Sequence, residues 1–169
     1  MSYEKQDGPP KVIRFYYGIN DIFNKVSRKS SFKAASISKE NEQTGFDSIQ
    51  LFDDNEKIYM KELMKESLLH VFSLFDKVIV GNSLVHDTAF TPSGGSVTQA
   101  SYADIKDNER SRSITLDFID TMIDSAVVDF ILSRWYALKG LGDDATIHSA
   151  EFNNYLSQIS EKSIVLRQP

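Results

Sequence analysis

The side chains able to do chemistry in this chain are carboxylates and histidines. Glu62 and Glu66, and Asp117, Asp120 and Asp124, recur at steps of three and four, which places each set along one face of a helix. Acids paired in this way serve as general acid and base in hydrolases, or as ligands of a two-metal centre. A di-metal carboxylate bundle also needs Glu-x-x-His on two helices, and that spacing does not occur. The acids therefore read as solvated helix faces.

His70, His86 and His148 lie far apart and form neither His-x-x-x-His nor any other ligand spacing. His70 falls in mid-helix one turn from Glu66, His86 stands beside Asp87, and His148 follows a helix start; each reads as an exposed or satisfied histidine. Gly94-Gly95 lacks the lysine of a phosphate loop and reads as a turn. The chain has no cysteine, so disulfides, thiolate nucleophiles and thiolate metal sites are all excluded. No catalytic residue, metal site or cofactor is expected, and the protein is read as a non-enzyme.

The elements that would position these groups are mainly helical. The strongest is 114–140, where Ile119, Met122, Ile123, Ala126, Val127, Phe130, Ile131, Trp135 and Leu138 form one apolar face. Asp117 or Asp120 is expected to cap its start and Gly140 to end it. The β-branched residues at 113–116 predict a short strand before it. Trp135 is expected in the core. A second helix is predicted from the acid cluster Asp53-Asp54-Asn55-Glu56 to about Ile79, and a third over 145–162. Val12, Ile13, Phe15, Tyr16, Ile19, Ile22, Phe23 and Val26 also fall at helical spacing, which predicts a first helix from Lys11 to about Lys29. Phe32, Ala34, Ala35 and Ile37 allow it to continue, and Thr44-Gly45-Phe46 reads as a turn.

These elements define a single mainly α domain, a helical bundle with a long central helix and a small β-hairpin or extended arm. Residues 1–10 read as a flexible leader and 11–162 as the helical domain. Within it, 82–112 is an insert loop that permits a hairpin between 83–86 and 96–99 around Thr91–Gly95. The dense charges of 104–112 read as a solvated turn. A chain of 169 residues with 41% hydrophobic residues suffices for one such core. No apolar run approaches the roughly 20 residues that span a bilayer, and the polar beginning MSYEKQDGPPK reads as neither signal peptide nor anchor. A net charge of −5 argues against a dedicated DNA reader.

The order of parts nonetheless resembles a known family. The acid-capped helix DDNEKIYMKELMKESLLHVFSLF, the joint SITLDFIDTMIDSAVVDFILSRWYALKG, a last helix and the end IVLRQP resemble head–tail connector (adaptor) subunits of tailed phages of Bacteroidetes hosts, including the crAss-like phages. The resemblance covers residues 50–80 and 113–169. It implies a structural virion protein, made in the host cytoplasm, that forms a ring beneath the portal through which DNA passes without specific binding. Its partners would be the portal protein, other tail or ring proteins and neighbouring copies, in rings of about twelve joined by heterologous contacts. An acidic lumen would let DNA slide. The rival reading is a cytoplasmic helical protein-binding module.

The chain closes with 163–169, a docking tail. Ile164, Val165 and Leu166 followed by Arg167 are expected to run extended, with Ile164 and Leu166 facing one partner pocket and Val165 the other way; the alternative is that they fold back onto their own subunit.

Overall fold

The computed structural model describes residues 3–6, 11–40, 54–75, 79–83, 89–90, 98–107 and 113–167. The described residues are mainly helical, with four helices: α1 (Ile19–Glu40), α2 (Asp54–Ser73), α3 (Ser113–Leu138) and α4 (Gly142–Arg167). Among them are also five strands: β1 (Tyr3–Gln6), β2 (Val12–Gly18), β3 (Ile79–Ser83), β4 (Ala89–Phe90) and β5 (Thr98–Lys106). The helices pack as a bundle around α3, with α4 along it and α1 and α2 also against it. All eight residues from Ala126 to Ser133 are buried, so α3 is covered on every side there and not on one face alone.

The start of α3 differs from the strand predicted at 113–116. The helix begins at Ser113 because Leu116 is in phase with Ile119 and Ile123, and all three are fully buried. That burial outweighs the weak β preference of Ile114 and Thr115. Asp117 and Asp120 consequently lie inside the helix and do not cap it. The C-terminal end is as expected. Gly140 has φ +77°, its N–H donates to Ala137 O at 3.1 Å, and Leu141 N–H donates to Tyr136 O at 2.9 Å. This pair of bonds is a Schellman end. Leu141 O then accepts from Ala145 N–H at 3.0 Å, so α4 starts at Gly142, earlier than predicted.

The helix predicted from Lys11 is instead a strand to Gly18 and a helix only from Ile19. The stretch VIRFYYG satisfies both periods, and its β-branched and aromatic residues favour the pleated one. Ile13, Phe15 and Tyr17 point into the core. On the other face, Arg14 pairs across to Asp104 of β5 through two bonds of 2.6 and 2.7 Å and lies over the Tyr102 ring. α1 runs on through the residues expected only to allow it, to Glu40.

The β portion is larger than a hairpin. It is an antiparallel sheet in the order β1-β2-β5-β3, with β4 also on β5. Residues 3–6, expected in a flexible leader, pair with β2, because Tyr3 packs on Phe15 at 5.6 Å and donates to Asp117 at 3.0 Å. In the expected insert loop, β4 and β5 form the hairpin, pairing Ala89 with Gln99 and Phe90 with Thr98. Ser83 pairs with Tyr102 instead. α2 stops at Ser73, short of Ile79, and Gly81 and Asn82 belong to β3. Asp104 and Asp107 are not a solvated turn: each holds an ion pair, to Arg14 and Lys5. The turns expected at 44–46 and 91–95, and His86, lie outside the described residues.

Candidate functional site

Where α2, α3 and α4 meet, an open groove of about 610 Å3 runs along the bundle. α2 contributes His70. α3 contributes Phe130, Ser133, Arg134 and Ala137 at steps of three and four, and the α4 wall consists of Ala145, Thr146, Ser149, Ala150 and Asn153 with Phe152. The floor is aromatic: Phe130 and Phe152 meet edge to face at 4.9 Å, with His70 about equidistant from both at 6.0 and 6.1 Å. The Arg134 guanidinium lies over Phe130 at 5.2 Å and reaches Glu66 at 3.7 Å.

Three polar side chains of the wall bond back to their own helices. Ser133 donates to Phe130 O, Thr146 to Gly142 O, and Asn153 to Ser149 O. These bonds satisfy donors that would otherwise demand a polar ligand. Between them lies the aromatic floor, flanked by His70 and Arg134, a surface suited to packing against another helix. Small side chains let a helix backbone approach closely, and the aromatic floor supplies area to bury.

The opposite flank of α4 carries a polar clasp. Lys25, Lys29 and Lys33 stand one turn apart on α1 and pair with Asp124 (2.6 Å), Asp129 (3.1 Å) and Asp144 (2.9 Å). The buried Asp129 is also 2.7 Å from His148 Nδ1, whose ring lies on Tyr136 at 5.4 Å. Burial, then the nearby Asp144 and Asp129, push the Tyr136 phenol up to about 12. Burial, then its bond to Asp117, does the same for Tyr3, also to about 12. Tyr17, which donates to Asp120 at 3.3 Å, is raised well above its ordinary value by burial and then by Asp120. Asp117, Asp120 and Asp124, expected on a solvated face, are thus the anchors of β1, β2 and α1, and Asp120 is buried. Solvation would require a free face of α3, and these elements cover it.

Of the sequence-predicted residues, Trp135 is 1% exposed with Lys139 over its ring at 4.3 Å, and Lys139 reaches Glu56 of α2 at 3.4 Å. The tail is not extended: α4 continues through Arg167, because Ile159 and Ser163, one turn apart, are both fully buried and keep the helix in phase. The extended run in which Ile164 and Leu166 would share a face is therefore not formed. Ile164 is half-exposed, and Val165, Leu166 and Arg167 lie in the closing turn. Glu66 and His70 come together at the groove; His148 lies across α4 from it. Among the described residues, no three His, Asp or Glu side chains are grouped to hold a metal ion. The groove itself escaped sequence reasoning, although the small residues Ala145, Thr146, Ser149, Ala150 and Asn153 at helical spacing were a signal for it.

No protein-family model, no curated protein and no solved structure matches this chain. Among the described residues no helix is long and apolar enough to cross a membrane.

Proposed function

We propose that this chain is an assembly protein, a head–tail connector subunit that joins neighbouring copies in a ring beneath a portal. The observation that carries the reading is the open groove with its Phe130–Phe152 floor. Its three walls, α2, α3 and α4, are the segments on which the connector resemblance rests. A groove of this shape buries apolar area against a protein, with no reacting group required. Further support comes from the net charge of −5, which suits a lumen that DNA crosses without binding. Ile164, half-exposed in the last turns of α4, is our candidate for the contact to the portal. The rival, a helical binding module that captures a different protein, uses the same groove without self-assembly. Light scattering coupled to size exclusion, with and without a portal protein, separates them: the connector forms a closed ring, the module a monomer.

A further inference from the structure

The groove lies on one flank of α4, lined by Ala145, Thr146, Ser149, Ala150 and Asn153. α1 lies on the other, where Lys33 and Lys29 reach Asp144 and the Asp129–His148 pair. On α1, Ile19, Ile22, Val26 and Ser30 are buried. Phe32 follows Ser30 by two residues, about 200° around the helix, and so points away from the bundle. At 72% exposure it stands further into solvent than any other large apolar side chain among the described residues. An aromatic ring held on a rigid helix is the usual anchor of a protein interface.

We propose that Phe32 on α1 of one copy seats in the His70–Phe130–Phe152 groove of the next copy. The proposal deepens the ring reading above and rests on it. Two observations choose a second copy as the occupant. The knob and the groove lie on opposite flanks of α4, so each copy offers a different face to each neighbour, and such heterologous contacts propagate head to tail, giving a ring where the rotation between copies closes. The charges also match. Arg28, exposed one turn before Phe32 and 40° from it around the helix, lies beside the knob. Glu66, exposed on α2, meets Arg134 of the groove at 3.7 Å. Seating Phe32 brings Arg28 toward this carboxylate. The ring meets Phe130 and Phe152 at their edges and the Arg134 guanidinium on a face.

The chain's lack of cysteine gives a direct test with the full-length protein. Ser31→Cys places a thiol beside the knob and Ser149→Cys one in the groove wall, while Phe32 and Arg28 are kept. The two single variants, mixed with wild-type protein absent and treated with a short bismaleimide, are expected to give one covalent heterodimer. Each variant alone is expected to give no dimer. In parallel, Phe32→Ala should abolish assembly while keeping the wild-type helical signal and melting temperature, since the ring is exposed. A Ser31→Cys homodimer would show a symmetric contact and overturn the proposal. Rings formed as well by Phe32→Ala as by wild type would overturn it while leaving the connector reading intact. A wild-type chain that remains monomeric, alone and with a portal protein, would overturn both.

Discussion

His148 Nδ1 stands 2.7 Å from Oδ1 of Asp129, and the same carboxylate oxygen takes Lys29 Nζ at 3.1 Å. One buried acid of α3 thereby ties both α1 and α4 to the centre of the bundle. Its carboxylate is desolvated and depends on these partners for compensation.

Asp129→Ala removes the shared acceptor and leaves a small cavity beside His148. Because Lys29 is half-exposed and recovers water, most of the loss comes from the buried side. The expected cost is about 2 kcal/mol, read from denaturant unfolding, with most of the loss recovered by no single-charge substitution at Lys29. A variant as stable as wild type would show that the clasp contributes nothing.

Trp135→Ala empties a site that is 1% exposed and removes the ring under Lys139. It is expected to cost about 3–5 kcal/mol. Retention of the wild-type melting temperature would contradict the placement of α3 at the centre.

Gly140→Ala isolates the backbone term at the α3–α4 joint. A Cβ there meets nothing within 4 Å, so only the left-handed φ of +77° is penalised. The expected loss is about 1 kcal/mol, seen as a small drop in melting temperature. Gly142→Ala, with no such φ, serves as the control and is expected to be neutral or slightly stabilising.

Much of this bundle was legible in the sequence, and what was missed has physical causes. The run from Ile119 to Trp135 could only be a buried helix, since its steps of three and four extend for several turns. Residues 12–18 fit both periods, since Val12, Ile13, Phe15, Tyr16 and Ile19 also fall at helical spacing, and pairing with β1 and β5 selects the strand. The ion pairs of Lys25, Lys29 and Lys33 depend on which helix lies opposite, which spacing alone does not encode. The groove depends on how α2, α3 and α4 meet, so from the sequence Phe130 and Phe152 read simply as core. The tail was misread because Ser163, a polar residue, is the buried one that holds the last turns in phase.

Alkaline unfolding follows from the tyrosines. Tyr3 and Tyr136 are raised to about 12 in the folded chain and revert to about 10 when unfolded. The unfolded chain therefore loses these protons first as pH rises. Their contribution is fully present below pH 10 and is lost as the pH climbs from about 10 toward 12. Stability measured across that window should fall, and Tyr136→Phe should flatten part of the fall while leaving the slope between pH 7 and 9 unchanged. An identical slope in the variant above pH 10 would contradict the burial of that phenol.

The portal contact predicts a separation of stability from binding. Ile164→Asp, at a half-exposed position of α4, should change folding stability by no more than about 0.5 kcal/mol and weaken capture of the ring by portal protein. Unchanged capture would remove Ile164 from that contact.

The central claim, that this chain assembles with itself into a ring, is tested most directly by its mass in solution. Light scattering of the size-exclusion peak, at micromolar concentration and with portal protein added in a parallel run, reads it without any substitution. A closed ring of about twelve copies, each of 19.1 kDa, is the result predicted; a peak at the mass of one chain in both runs would contradict it.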